Sequence, residues 1–187
     1  MTFAFIRHGQ TDWNAARKMQ GSSDIPLNET GRQQARDAVS TLAGAGWEVI
    51  VSSPLARVRE TAQIIADGLG IALGRGYDLL IERAYGEGEG LTLAEIDARW
   101  PGGQYPGLEP LDSVVARGTK ALQQIADEYQ GKNVVIVCHG TIIRYTLASL
   151  AGQPFDHILN GSVSTLDVVD GQWQVLSVNG EPLESLV

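Results

Sequence analysis

The apolar positions of this chain fall into short unbroken runs separated by longer amphipathic stretches. Thr2–Ile6, Val49–Ser52 and Asn133–Cys138 (NVVIVC) are apolar almost throughout and too short to be helices. Runs of this kind fit strands buried on both faces of a parallel sheet. The stretches between them carry helix signals. Asn28 can cap a helix running from Leu27 to about Ala43, and Gly44 can end it. Pro54 suits the opening of a helix reaching Leu69. Thr92-Leu93-Ala94-Glu95 reads as a capping box for a short helix stopped before Pro101. From Asp112 to about Tyr129 the period is helical, with Val115, Leu122, Ile125 and Ala126 on one face, and Thr141–Leu150 follows the last apolar run as another helix. Near the end, Asp170-Gly171 joins VSTLDVV to QWQVLSV as a hairpin.

Strand and helix in alternation predict an α/β fold, a three-layer α/β/α sandwich around a mostly parallel central sheet. With no repeat, low-complexity tract or linker, the expectation is a single domain over residues 1–187. Residues 100–111 (WPGGQYPGLEPL) are rich in Gly and Pro and read as a surface loop able to cover a site.

Composition changes this picture little but excludes several functions. Apolar residues make up 43% and charged residues 19%, as in ordinary globular proteins. The formal net charge of −8 speaks against nucleic acid or an anionic membrane surface as partner. The single cysteine, Cys138, offers neither an internal disulfide nor a cysteine metal cage. No apolar run is long enough to span a bilayer and the start has no leader pattern, so the expected location is cytoplasmic. The charge is uneven. Residues 1–60 hold 7 Lys+Arg against 6 Asp+Glu, whereas residues 61–187 hold 7 against 16, which hints at an anion site in the N-terminal third.

Two of the apolar runs end alike, one in Arg7-His8-Gly9 and the other in His139-Gly140. Ligands of open α/β sheets bind outside the carboxyl ends of the strands, so parallel pairing would place both imidazoles at one edge. The glycines allow a sharp turn and close approach of a ligand, and helix N-termini beyond them attract anions. A lone strand-end histidine is most often structural, but two of only three histidines share this context. His157 has no such context and reads as surface or structural. Arg57 falls in the first turn of a helix, against the preference of the helix dipole, which suits an anionic ligand as well as a solvated surface. Glu82 closes the apolar segment Leu79–Ile81 and could give a proton to a leaving alcohol, or be a surface acid beside a glycine-rich turn. That turn, GEGEG, lacks the lysine and spacing of a nucleotide-binding loop.

RHGQTDWN, RKMQGSSDIPLNETGRQQA, SSPLARVRETA, LIERAYGEGEG and VVIVCHG, followed by NGSVSTL, resemble in order the motifs of the histidine phosphatase superfamily, the phosphoglycerate mutase-like proteins. The resemblance runs from Phe3 to about Ser164 and implies the same α/β/α sandwich. It implies a phosphomonoester hydrolase of the phosphatase branch, acting on a small phosphorylated metabolite without metal or cofactor. By position His8 resembles the nucleophile, which would become phosphohistidine. Arg7, Arg57 and His139 match residues that hold the phosphoryl oxygens, and Asn14 matches a further phosphate contact. Glu82 matches the proton donor, Thr11 and Gln20 pocket-lining positions, and Gly21 a backbone contact.

Three alternatives stay open. A cofactor-dependent phosphoglycerate mutase is the nearest, since Arg83 after Glu82 resembles mutases. However, only 56 residues separate Glu82 from His139, and their basic residues (Arg83, Arg99, Arg117, Lys120, Lys132) include no adjacent pair to grip a carboxylate. Gly107-Leu108-Glu109-Pro110 stands where many phosphatase members carry Gly-Glu-Ser, which leaves substrate contact from that loop open. A non-catalytic phosphate-binding module usually lacks one of these groups, and all are present. A metal hydrolase on His8, His139 and Glu82 fits no zinc spacing. The physiological substrate and the oligomeric state are not fixed by the sequence.

Overall fold

Strand β1 (Thr2–Arg7) is covered on both sides, and its four central residues are buried. Its side chains alternate between two cores. Phe3 and Phe5 enter one, Ala4 and Ile6 the other. The same alternation divides β4 (Val134–Cys138), every residue of which is buried. This two-sided burial is why those runs read as continuous rather than alternating apolar sequence.

The computed structural model describes residues 1–184. After β1 come α1 (Asp12–Ala15), α2 (Glu29–Leu42), β2 (Val49–Ser52), α3 (Ala56–Leu69) and β3 (Leu73–Gly76). Then follow α4 (Leu93–Arg99), α5 (Leu111–Glu128), β4, α6 (Gly140–Ala151), β5 (Val163–Val169), β6 (Gln172–Val178) and β7 (Glu181–Pro182). Among the described residues seven strands form one sheet in the order β3-β2-β4-β1-β5-β6-β7. The four from β3 to β1 are parallel, and β5 to β7 are antiparallel. Helices α2 and α3 contribute Ala38, Leu42, Val58, Ala62 and Ile65 to one core. Helices α5 and α6 contribute Val114, Leu122, Ile125, Ile142 and Leu147 to the other. The three-layer sandwich is therefore as the sequence pattern required.

Several local readings change. Helix α3 begins at Ala56, with Leu55 as its N-cap, so Pro54 stands in the preceding turn and not within the helix. On α5 the buried face holds Val114, one residue from the expected Val115. The segment around Leu79 is a single 3-10 turn over Asp78–Leu80, packed against α5. Strand β3 (LGRG) was not anticipated. It is an edge strand with two glycines and no fully buried residue, so it leaves no apolar run. Asn28 caps α2 as read; Thr92 caps α4 through Glu95 N–H alone, without the reciprocal bond of the expected capping box; and Asp170-Gly171 turns the β5–β6 hairpin.

Candidate active site

Register alone brings three strand ends together. In the β1–β4 ladder Arg7 faces Cys138, and His8 N–H donates to the Cys138 carbonyl at 3.0 Å. The next residues on the two strands, His8 and His139, must then leave the sheet side by side. Their rings stand edge to face with centroids 5.4 Å apart. On the other flank of β4, Ser52 faces Val137 and Ser53 N–H donates to the Val137 carbonyl. Ser53 Oγ thereby reaches His139 Nε2 at 2.8 Å.

The tautomers follow from partners that can act in only one way. A carbonyl only accepts, so His8 Nδ1 carries the proton and donates to the Gly9 carbonyl at 2.6 Å. The lone pair is left on Nε2. Guanidinium only donates, so His139 Nδ1 accepts from Arg57 at 3.2 Å and its Nε2–H donates to Ser53. Both imidazoles are held well below their ordinary pKa. Burial is the largest cause for each, with Arg7 and Arg57 adding for His8, and Arg57, His8 and Arg7 adding for His139. His8 is accordingly neutral near pH 7, with its basic nitrogen aimed at Arg57.

Arg57 has no exposed surface at all, which rules out the solvated-surface reading of a first-turn arginine. Its Nε donates to His8 Nε2 at 3.3 Å. Its terminal nitrogens donate to the carbonyls of Ser23 and Gly21, each at 2.7 Å. Burial brings its pKa down to about 10, so it stays charged near neutral pH. Arg7 lies alongside. Nη1 donates to the Ile158 carbonyl at 2.6 Å, and Nε is buried with no protein partner. Gly140 lies close to this side chain: a Cβ there would sit 3.1 Å from Arg7 Nε, so Arg7 would have to shift by a few tenths of an ångström. A fully buried and a partly buried guanidinium beside an imidazole lone pair make an anion site whose attraction is only partly weakened by solvent.

Glu82 is buried at the start of α6. Its Oε1 accepts from Arg83 N–H (2.8 Å) and Ile142 N–H (3.1 Å), and Oε2 accepts from Thr141 N–H (3.0 Å). The helix N-terminus after His139, expected to face a ligand, is thus occupied by the protein's own carboxylate. Burial raises the Glu82 pKa above its ordinary value, against the opposing pull of those three N–H donors and of Arg7. Oε2 accepts one bond where Oε1 accepts two, so Oε2 keeps the free position for a proton. The backbone that carries Glu82 is tied down by Arg117, which donates to the carbonyls of Leu79 and Ile81 and pairs with Glu109 at 2.9 Å. Glu109 also accepts from Ser113 Oγ and Ala84 N–H, so this loop residue acts as a tie within the fold.

The remaining expected residues form an amide cluster. Thr11 caps α1 and is fully buried, and its hydroxyl donates to Gln20 Oε1 at 2.6 Å. Asn14 Nδ2 donates to the same oxygen at 3.4 Å. Gln20 Nε2 is buried without a partner. Gly21 contributes differently from expectation: its carbonyl anchors Arg57, while its N–H is taken by Glu89 Oε1 at 2.8 Å. His157 is exposed and apart from this group, as read. Residues that the sequence reading gave no role include Ser53, Glu89, Asn160 and Thr61. The Thr61 hydroxyl accepts from Gly9 N–H and donates to the Arg57 carbonyl, fixing the turn after His8.

Two buried histidines that must be neutral make a stability prediction. Below the unfolded pKa of about 6.5 the unfolded chain takes up protons that folded His8 and His139 refuse. Their contribution is complete above that pH and is lost as pH falls toward the depressed folded values. Each adds up to about 1.4 kcal/mol per pH unit, and the raised carboxyl of Glu82 offsets one such proton where it titrates. Urea unfolding at pH 7.5, 6.5 and 5.5 should show stability falling at the lowest value. A flat profile would contradict neutral, buried imidazoles.

The family model described as histidine phosphatase superfamily (branch 1) matches residues 3–181. A Bacillus subtilis protein named uncharacterized phosphatase PhoE is 35% identical over 178 residues, covering 93% of this chain and 92% of that protein. Phosphoglycerate mutase-like protein 4 of Arabidopsis thaliana is 37% identical, covering 94% and 83% respectively. A solved mycobacterial glucosyl-3-phosphoglycerate phosphatase in complex with VO3 is 30% identical with a TM-score of 0.83, covering 95% of this chain and 98% of that one. With paired strand-end imidazoles, two adjoining arginines and a buried carboxyl in place, and the match extending over nearly the whole length, the chain belongs to the histidine phosphatase superfamily.

Proposed function

We propose that this protein hydrolyses small phosphomonoesters through a covalent phosphate on His8 Nε2. The observation that carries the reading is the fixed tautomer of His8, whose only basic nitrogen lies against Arg57 at 3.3 Å. In the first step the Nε2 lone pair attacks phosphorus and the P–O ester bond breaks. The proton on Glu82 goes to the departing alkoxide. Arg7 and Arg57 take the phosphoryl oxygens, the long Arg57–His8 contact giving way as the phosphate arrives. His139 faces the same point and, once an anion is present, can hold a second proton and donate to it. The imidazolium of phospho-His8 keeps its bond from Nδ1–H to the Gly9 carbonyl. In the second step water attacks phosphorus, gives its proton to Glu82, and the N–P bond breaks to restore neutral His8. The positive charge comes from side chains, so no metal or cofactor is invoked.

Phosphatase is favoured over mutase by what the cations of residues 83–138 are doing. Arg117 is committed to Glu109 and to backbone carbonyls, and Arg99 lies over the Trp100 ring. Arg83 Nε is bound to the Glu109 carbonyl. These commitments reduce what this segment can offer to grip a substrate carboxylate while a phosphoryl group changes position. The relative named as a phosphatase over nearly the same length supports this reading. No helix among the described residues is long and apolar enough to cross a membrane. We place the protein in the cytoplasm, acting on a metabolite and not on nucleic acid or membrane.

The purified protein should release phosphate from an aryl phosphate at an undiminished rate in excess chelator. With 3-phosphoglycerate and 2,3-bisphosphoglycerate it should release phosphate faster than it forms 2-phosphoglycerate. Activity lost in chelator and restored by one divalent ion would overturn the metal-free mechanism. Faster formation of 2-phosphoglycerate would establish the mutase reading instead.

A further inference from the structure

Beside the arginines lies a set of three side-chain amides whose directions are all fixed from one end. Asn160 Nδ2 donates to the His8 carbonyl at 3.0 Å and to Asn14 Oδ1 at 3.3 Å. A backbone carbonyl only accepts, so the NH2 end of Asn160 must face His8 and, with it, Asn14. Asn14 Oδ1 also accepts from Thr11 N–H at 3.1 Å. The oxygen of Asn14 is therefore held inward by two donors, and its NH2 end must point the other way. There it gives one N–H to Gln20 Oε1, which also accepts from the Thr11 hydroxyl. Gln20 is oriented in turn, and its Nε2 is buried with no protein acceptor. The donor at the Asn160 end thus fixes which end of Asn14 carries the oxygen, Asn14 in turn gives an N–H to Gln20 Oε1, and the NH2 end of Gln20 is left without a protein acceptor. A buried amide nitrogen left unpaired is costly unless an anion accepts from it.

We propose that Asn160 is a positioning residue that sets the polarity of this amide chain, so that Asn14 and Gln20 present N–H groups to the phosphoryl oxygens. This rests on the phosphate site proposed above, and it adds a residue from the loop before β5 that touches neither substrate nor reacting atoms. It also explains why one side chain joins the nucleophile's own carbonyl to a phosphate contact: the donors and His8 are kept in one register. An amide chain can be built in either direction, and reversal would put oxygens toward the phosphate.

The test uses inorganic phosphate as the probe, so that it does not depend on turnover. Affinity is measured by calorimetry for Asn160→Ala and Asn160→Asp, each made in the wild type and in Asn14→Ala. Loss of the orienting donor should weaken phosphate binding about 5- to 10-fold in the wild type, and less than about twofold in Asn14→Ala, where the link from Asn160 through Asn14 to Gln20 is already broken. Asn160→Asp should cost more, because its oxygens repel both the His8 carbonyl and Asn14 Oδ1. Part of that loss is plain charge repulsion, which persists in Asn14→Ala, and the excess is the cost of misorienting Asn14. Should the alanine variant not fold, Asn160→Gln keeps both N–H groups on a longer side chain. It should show the same coupling to Asn14 with a smaller loss. Equal losses in both backgrounds would overturn the proposal and leave Asn160 a structural tie. A wild type that binds phosphate but hydrolyses no monoester would sink the proposed function and leave this comparison readable. A wild type that binds no phosphate would overturn both.

Discussion

Replacing His8 with asparagine is expected to lower phosphatase activity by at least about 10⁴-fold, because no other side chain at the site can replace its lone pair. His139 is the only other imidazole nearby, and both its nitrogens are engaged, one accepting from Arg57 and the other donating to Ser53. Asparagine keeps a donor close to the Gly9 carbonyl and leaves the arginines in place. The His8→Asn protein should therefore still bind inorganic phosphate, within about tenfold of the wild type. Rate and binding are to be measured on the same preparation. Residual hydrolysis above a hundredth of the wild-type rate would mean that the attacking group is water or another side chain.

The second large effect concerns Glu82, and its size should depend on the substrate. For alkyl phosphates, whose alkoxides leave poorly, Glu82→Gln should cost about 10²–10⁴-fold. For nitrophenyl phosphate, which needs no proton on the leaving group, the loss should be far smaller. The raised Glu82 pKa adds a pH signature. The acid form is the useful one and persists below the raised value. Cleavage of alkyl phosphates should then fall as pH rises through it, and cleavage of aryl phosphates should not. Glutamine can still accept from Arg83 and Ile142, but its NH2 opposes Thr141 N–H, a donor facing a donor. Some loss of stability, about 1–3 kcal/mol, is expected alongside. Aryl phosphatase activity therefore serves as the control for folding. Equal losses on both substrate types would remove Glu82 from the proton-donor role.

These two residues show what the sequence could and could not reveal. His8 and His139 were legible because strand pairing is a local rule: two apolar runs ending in His-Gly, in parallel, must put their imidazoles together, and the register of Arg7 with Cys138 does so. Arg57 was legible only as an exception to dipole preference, and its complete burial comes from the carbonyls of Gly21 and Ser23, more than thirty residues away. Glu82 could be named by resemblance. That it closes the N-terminus of α6 with its own carboxylate is a contact across 60 residues that no periodicity encodes. Asn160 was invisible for the same reason. It lies in the quoted segment NGSVSTL, but its partners, His8 and Asn14, are roughly 150 residues earlier. One further signal is present in the sequence. Thr11-x-x-Asn14 is a variant of the capping box, and it would have disclosed the short helix α1, whose four residues are too few to show a period. The edge strand β3 left no trace because its alternate positions are glycine.

The central claim is a covalent bond between His8 Nε2 and phosphorus, and trapping it is the most direct measurement. Protein quenched during turnover of an aryl phosphate, then digested under alkaline conditions, should carry phosphate that is stable to base and lost in acid. Mass spectrometry should place it on the peptide containing His8, and the label should be absent from His8→Asn. Longer-lived label is expected in Glu82→Gln, where water loses its base. Phosphate found on Ser53 or on His139, or turnover at full rate with no protein-bound phosphate at any quench time, would contradict the account.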